Sequence, residues 1–332
     1  MKAAIVGCGA IAGRWIRSLA VDGRLTVGVL VDSDLAAAER LAERYGLSTA
    51  YAATVDEALA EHRPEVVINL TPPRLHHWVS RSALEAGAHV LTEKPLALRL
   101  ADASALVELA QQRGLVLAVM QNRGRDRQFI AFRDQVRQLG DGPYLVTAET
   151  LVPLRTPGFR REQPLPATSD LAVHAFDQVR ALIAAQPVEV TCTETPVSFL
   201  DAHCAATTIT VRFSDASLFS YRGAFTAQAD LRTDAGGSWR VEGRGFAASW
   251  TAGIAVGVAD SAGSRSVTLP AHVDVPGYQL CVSEMVDAIH HPGKAPCPAA
   301  ENLGSIALLE AAITSGTARR PAMVHRVPRR WP

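Results

Sequence analysis

Lysine is nearly absent from this chain: Lys2, Lys94 and Lys294 stand against 30 arginines. The skew says little about fold, yet each lysine draws notice, because Lys can release its proton at accessible pH and Arg cannot. An excess of one charge is missing too. Lys plus Arg and Asp plus Glu both total 33, a formal net charge of zero, which argues against a nucleic-acid partner or a polybasic membrane surface. No apolar run approaches the ~20 residues of a membrane span; the longest, such as 66–70, are strand-sized. The five cysteines (Cys8, Cys192, Cys204, Cys281, Cys297) are odd in number, scattered and without a CxxC. That pattern speaks against a disulfide framework or a metal site and for a reducing compartment. The N-terminal MKAAIVGCGAIAG lacks the basic segment, apolar block and cleavage site of a secretion signal, so a cytoplasmic protein is expected.

At 332 residues, 48% of them hydrophobic and 20% charged, the chain has the material for about two domains with real cores. Its first 120 residues alternate short Val/Ile/Leu runs (3–6, 25–31, 66–70, 89–92, 115–119) with helical patterns (10–21, 34–45, 74–87, 101–113). Runs apolar on both faces suit a buried parallel sheet, and strict alternation with helices predicts a doubly wound α/β domain. Gly46, Gly87 and Gly114 follow three of the helices, where a left-handed cap is wanted. After residue 121 the pattern changes. Helices are expected at 126–139 and 169–185, then a β-rich stretch from 187 to 269, then helices at 277–290 and 300–316. Alternation as in Thr207-Thr208-Ile209-Thr210-Val211-Arg212-Phe213 points to a mainly antiparallel sheet with one face covered. The expected architecture is a Rossmann-type domain over 1–121 and a substrate-binding and oligomerisation α+β domain over 122–332. The open sheet face predicts a homodimer or homotetramer.

Gly7-Cys8-Gly9-Ala10-Ile11-Ala12 follows the first strand and opens the first helix. Gly7 allows a tight turn, Gly9 lets a pyrophosphate approach the helix N-terminus, and Ala12 takes the place of the third glycine. Asp32 ends the second strand, 20 residues beyond Ala12, where a carboxylate accepts the adenosine ribose hydroxyls and repels a 2′-phosphate. Asp32, Ser33 and Asp34 could equally cap the second helix. No arginine lies at 33–39, so NAD is expected rather than NADP. Leu70, Thr71, Pro72 and His76, then Glu93 and Lys94, stand at carboxyl ends of parallel strands, the ligand edge of such sheets.

These motifs make the chain resemble the Gfo/Idh/MocA oxidoreductases, the family of glucose–fructose oxidoreductase and inositol dehydrogenase. The resemblance is carried by GCGAIA at 7–12, TPPRLHH at 71–77, LTEKPLA at 91–97, the run from Asp170 through His174 to Asp177, SWRVEGRGF at 238–246 and ENLGSIALLEAA near the end. It implies hydride transfer between a secondary hydroxyl or ketone of a sugar, aminosugar, glycoside or cyclitol and a nicotinamide. Its catalytic lysine, aspartate and histidine fall on Lys94, Asp170 and His174, which would also hold the substrate. The residue chemistry agrees. Asp170 and His174 are four apart and share a helix face, His has a pKa suited to taking the hydroxyl proton, and a buried strand-end Lys94 could hold the substrate oxygen.

Glu93 is expected to orient Lys94 or the nicotinamide ribose. Asn122 and Arg123 are expected to touch cofactor or substrate, and His76 the cofactor unless it is merely a surface residue. Asp177 reads as a second-shell or packing group, His290-His291 as a helix C-terminus, and Cys8 as a small space-filler. The stretch 163–169 departs from the family's glycine-rich turn, and the loop 153–167 carries Arg155, Arg160 and Arg161, solvated charges or an anion site. Two other functions fit the same residues: an NAD-dependent glycosidase or lyase working by transient ring oxidation, and a non-catalytic sugar or NAD sensor. The second has no need of Lys94, Asp170 and His174 together.

Overall fold

The structure is a computed structural model describing residues 1–153, 163–198, 204–226, 233, 236–251, 256–268, 276–291 and 298–327. The chain divides into two compact units. The first holds residues 1–122 and the later stretch that carries helix α8 (Pro276–His290) and runs on to Ile306.

In the first unit six strands, β1 (Lys2–Val6), β2 (Thr26–Val31), β3 (Ala50–Ala52), β4 (Val66–Asn69), β5 (His89–Thr92) and β6 (Leu117–Val119), lie in the order β3-β2-β1-β4-β5-β6. Every pairing is parallel. Strand order reverses between β1 and β4, the crevice at which ligands bind in open α/β sheets. Helices α1 (Ala12–Asp22), α2 (Leu35–Tyr45), α3 (Val55–His62), α4 (Pro73–Glu85) and α5 (Leu100–Gln112) provide the crossovers. The sheet divides its core in two. Ile5, Leu30 and Ile68 face α1, α2 and α8, whereas Val29, Val67 and Val90 face α3, α4 and α5. The apolar runs of the sequence are therefore buried on both sides, as parallel strands must be.

Two elements here escaped the sequence pattern: β3, three residues long, and α3, eight residues long. The Thr54-x-x-Glu57 capping signature was the available sign of α3; Thr54 Oγ1 accepts the Glu57 amide at 3.2 Å. The boundary after 121 also meets a complication, because α8 packs on α1, β5 and β6 of the first unit. Its Cys281, Val282, Met285 and Val286 share a core with Trp15, Leu19, Ala118 and Met120. The physical reason is that a doubly wound sheet needs both faces covered, and the last helix over this face comes from late in the chain.

The second unit runs from Arg123 to the end of the large sheet and resumes at Ala307. Among the described residues its sheet has nine strands: β7 (Leu145–Pro153), β8 (Pro187–Pro196), β9 (Ala205–Phe213), β10 (Leu218–Thr226), β11 (Ser238–Gly243), β12 (Phe246–Thr251), β13 (Val256–Asp260), β14 (Gly263–Val267) and β15 (Ala322–Met323). Their order is β14-β13-β12-β11-β7-β10-β9-β8-β15, antiparallel except for the central β7–β10 pair. Strand β7 was not legible beforehand, and within the expected β-rich stretch residues 227–232, 234 and 235 lie outside the described residues. Burial alternates along β7, β9 and β11. The inward face forms an aromatic core in which Phe129 and Phe132 of α6 (Arg127–Leu139) meet Trp239 and Trp250 at 5.7–5.8 Å between ring centroids. The outward face is polar, with ion pairs Arg222–Glu149, Arg212–Glu189 and Arg240–Glu242. Helix α7 (Val173–Leu182) follows a π-helical turn, Thr168–Ala172, and α9 (Pro298–Ala318) precedes β15. Among the described residues no helix is long and apolar enough to cross a membrane.

Candidate active site

The glycine loop is shaped by close backbone approach. Gly7 has φ +100°, and a Cβ on it would stand 2.8 Å from the Leu70 carbonyl oxygen at the end of β4. Gly9 is exposed, and a Cβ there would project into open space in front of the loop. Ala10 and Ile11 lead into α1, whose N-terminus carries no side-chain cap and no acidic first turn. Ala12 is fully buried, which lets the helix lie close to the sheet. An uncapped helix start behind an open glycine cradle fits a pyrophosphate, whose charge would satisfy the helix amides. Asp32 completes the arrangement. One carboxylate oxygen accepts Cys8 N at 2.8 Å and the other accepts Asp34 N at 3.0 Å. The cap of α2 is Asp34, which accepts Ala36 N, so Asp32 is not spent on capping. Ser33 beside it is exposed. The Cys8 thiol is buried and pushed up to about 12, first by burial and then by the Asp32 charge, so it is an inert filler.

At the next two strand ends a buried polar scaffold takes over. Asn69, fully buried, accepts both the Thr71 amide and the Thr71 hydroxyl and donates to the His76 carbonyl and Ser80 Oγ. Pro72 starts α4. His76 is neither a surface residue nor available to a cofactor. It is 1% exposed, with Nδ1 2.6 Å from the Pro95 carbonyl and Nε2 2.8 Å from the Thr71 carbonyl. Burial pushes its pKa down, against the pull of the two carbonyls, and the Lys94 charge adds to the lowering. Its ring ties the Thr71 turn to the Lys94-Pro95 turn, and that contact replaces the expected cofactor contact.

Glu93 and Lys94 follow β5 in a turn that includes a cis Lys94–Pro95 bond. Lys94 is half-buried rather than buried, because β5 ends at Thr92 and Lys94 stands in the turn beyond it. Glu93 Oε1 accepts the indole N–H of Trp15 at 2.9 Å, and Oε2 accepts the Lys94 amide at 3.2 Å. Trp15 is fully buried and meets the Tyr278 ring edge-on at 5.3 Å. One helix thus presents its start to the glycine loop and its second turn to the carboxylate beside Lys94. Asn122 closes this edge beyond β6, in contact with α8 at Gly277, where a Cβ would come within 2.7 Å of Asn122 Cβ.

In the second unit Asp170 lies in the π-helical turn and His174 in the first turn of α7, His174 buried and Asp170 partly exposed. The expected helix at 169–185 is therefore a wide turn followed by an α-helix that ends at Leu182. The four-residue spacing still carries both side chains about one turn apart, and π turns are frequent at functional sites. Asp177 packs its carboxylate against Gly124, where a Cβ would stand 2.5 Å away, so it braces the segment after Arg123. Arg155, Arg160 and Arg161 lie outside the described residues. His290 and His291 set Nδ1 2.8 and 3.3 Å from the carbonyls of Val286 and Asp287, a helix C-terminus bonded by its own side chains.

Three polar supports were missed in the sequence. Asn69 had a visible signal, an amide inside the apolar run VVINL. Trp15 and Glu194, the latter described below, carried no such signal. The Trp15 indole and the Glu194 carboxylate meet partners 78 and 26–27 residues away in sequence, which no local pattern encodes.

Residues 1–121 match the family described as "Oxidoreductase family, NAD-binding Rossmann fold", Gfo/Idh/MocA. The chain is 32% identical over 191 residues to the UDP-N-acetylglucosamine 3-dehydrogenase of Acidithiobacillus ferrooxidans, covering 57% of this chain and 56% of that protein. It is also 32% identical over 194 residues to a myo-inositol dehydrogenase of Streptomyces leeuwenhoekii, covering 57% and 58%. The alignments thus span about half the length of these curated relatives. In three dimensions it superposes on an oxidoreductase from Agrobacterium radiobacter solved with NAD+, L-tartaric acid and magnesium, with TM-score 0.82, 17% identity and coverage of 97% and 98%; at that identity the likeness speaks for the fold alone. Residues 1–121 are thus an NAD-binding Rossmann domain of the Gfo/Idh/MocA oxidoreductase family.

Proposed function

We propose that this protein is an NAD-dependent dehydrogenase that oxidises a secondary hydroxyl of a sugar, aminosugar, glycoside or cyclitol, or reduces the matching ketone. The observation that carries the reading is the match of residues 1–121 to the family's NAD-binding domain, with Glu93-Lys94 at the carboxyl end of β5. The relatives named for UDP-N-acetylglucosamine and myo-inositol support the substrate class, since both present secondary ring hydroxyls. Bound NAD supplies the hydride acceptor. Gly7, Gly9, Ala10, Ile11 and Ala12 hold its pyrophosphate, and Asp32 takes the adenosine ribose hydroxyls and excludes a 2′-phosphate. Thr71, Pro72 and Asn122 border the nicotinamide end.

The protein's own part in the chemistry is proton management. Lys94 donates to the substrate oxygen and stabilises it as its proton leaves. His174 accepts that proton, and Asp170 orients the imidazole and stabilises its charged form. Arg123 contributes a hydrogen-bonding fork to the substrate. We propose further that the polar outward face of the nine-stranded sheet joins copies of the chain into a dimer or tetramer. Sedimentation at micromolar concentration tests that.

The test of function is a panel of sugars, sugar nucleotides and cyclitols, myo-inositol and UDP-N-acetylglucosamine among them, mixed with NAD and followed by the absorbance of the reduced nicotinamide. Stoichiometric reduction by one member establishes the dehydrogenase. Substrate consumption without net reduction of NAD turns the reading to the transient-oxidation lyase, and binding without turnover turns it to a sensor.

A further inference from the structure

The helix that carries Asp170 and His174 has no cap of its own. Ala167 stands at its N-cap and has no side-chain acceptor, although the first amides of any helix need partners. The partner comes from β8. Glu194 accepts Ala167 N at 3.2 Å through Oε1, and Thr168 N and Thr168 Oγ1, both at 2.8 Å, through Oε2. Thr168 is fully buried, and its hydroxyl lies 2.7 Å from the Thr207 hydroxyl of β9 and 3.5 Å from the Cys192 sulfur. The Cys192 amide in turn donates to the Ser315 hydroxyl oxygen at 3.0 Å. One residue later Ser169 bonds the Pro164 carbonyl through its hydroxyl at 2.6 Å and the Leu165 carbonyl through its amide at 2.8 Å. The π turn is thus pinned to two strands of the sheet at Ala167 and Thr168, and to the segment before it at Ser169, the residue preceding Asp170.

A surface cap on a solvated helix would need none of this. Glu194 is half-buried, and burial raises its pKa while the Thr168 and Ala167 bonds oppose the rise. A partly desolvated carboxylate held by three donors is an expensive way merely to start a helix, which a local Ser or Asp does at the surface. What the arrangement adds is direction, because charge-assisted bonds are short and geometrically strict. They fix the register at which the π turn leaves the sheet, and so where Asp170 and His174 stand.

We propose that Glu194 is a positioning residue for Asp170, acting through the Ala167 and Thr168 amides and the Thr168 hydroxyl. The inference rests on the assignment of Asp170 and His174 made above. The experiment uses the full-length protein with NAD and the panel member that reduces it best. Glu194→Gln retains size but turns an amide N–H toward a helix amide. Its kcat should fall about 10- to 100-fold, the scale of misplacing a group by about an ångström. The dissociation constant for NAD should stay within about twofold, because the cofactor residues are elsewhere in the chain. All rates are measured well below each variant's unfolding temperature, so a cap that only stabilised would leave kcat unchanged.

Thr168→Val, which removes one hydroxyl, should reproduce part of the loss, and Thr168→Ser should restore it. Both remain informative if Glu194→Gln does not fold. The decisive measurement is the double variant. In an Asp170→Asn background the Thr168→Val or Glu194→Gln substitution should cost little more, since its effect passes through Asp170. Undiminished losses in that background, or a normal kcat in both single variants, overturn the proposal. A normal kcat in Asp170→Asn alone overturns the parent assignment first, and the proposal with it.

Discussion

The two sheets solve opposite problems. The six-stranded sheet is buried on both faces, every strand is parallel, and its ligand edge arises at strand ends where side chains and loop amides converge. The nine-stranded sheet is buried on one face by aromatic rings and leaves Thr, Ser, Arg and Glu on the other. Under the function proposed above, its contribution to chemistry is a helix start pinned to two of its strands. In the first unit, then, topology makes the proposed site, and in the second a specific polar anchor does. The largest effects should come where a group meets the reacting atoms, smaller ones where it holds such a group, and the smallest where it only titrates with the scaffold.

Lys94→Arg tests the top of this order. Arginine keeps the charge but cannot release a proton, and its planar fork suits one hydroxyl poorly. Turnover should fall about a hundredfold or more while NAD binding stays intact. His174→Ala should match it, Asp170→Asn should follow, and the combined losses should be far from additive. Normal turnover by Lys94→Arg on a verified substrate would sink the assignment.

Next comes cofactor choice, which the comparison assigns wholly to the first unit. Asp32→Ala combined with Ser33→Arg removes a carboxylate and supplies a phosphate partner. NADP efficiency should rise and NAD efficiency fall, with the substrate KM little changed. A wild-type protein that already prefers NADP would refute the role given to Asp32.

Two buried indoles separate scaffold from filler. Trp15 and Trp250 are both almost fully buried, but Trp15 donates to the Glu93 carboxylate whereas Trp250 Nε1 has no partner among the described residues. Phenylalanine at either position loses similar volume. Trp15→Phe also loses a charge-assisted bond, and Trp250→Phe sheds an unsatisfied donor. Denaturant titration should show Trp15→Phe to be the more destabilising by about 1.5–3 kcal/mol, the range for hydrogen bonds to charged groups. Equal losses would mean that Glu93 gains nothing from the indole.

The same contrast explains what the sequence disclosed. The parallel sheet was readable because each apolar strand is buried on both faces, and the glycine caps at Gly46, Gly87 and Gly114 all carry positive φ as expected. Strand β3 was too short to show a period, and β7 lay in a stretch read as connection. Of the proposed site residues, Asp32 stood out by type and spacing and Lys94 by rarity and its strand-end place, whereas Asp170 and His174 came from the family resemblance, with which their four-residue spacing agrees. Their supports did not stand out. His76 was misread because its partners are the carbonyls of Thr71 and Pro95, which any residue could supply, and Glu194 was not noticed at all, because its partners are amides 26–27 residues away.

The smallest effect concerns acid. His76 and His89 both lie in the first unit, and burial lowers the pKa of each. Their surroundings differ: His76 faces two carbonyls, whereas His89 Nδ1 accepts the Val116 amide at 2.9 Å and must be unprotonated to do so. A proton taken up at that nitrogen breaks a bond between β5 and the start of β6. Because the folded values lie below the usual imidazole value of about 6.5, the unfolded chain binds these protons first. Stability is therefore full above about pH 6.5 and is lost as pH falls toward the folded values, at no more than ~1.4 kcal/mol per pH unit for each proton. His89→Gln offers a carbonyl oxygen to the Val116 amide and does not titrate. Its urea midpoint should fall less than that of the wild type between about pH 7.5 and about pH 5.5. Superimposable pH dependences would show that His89 is not a seat of acid sensitivity.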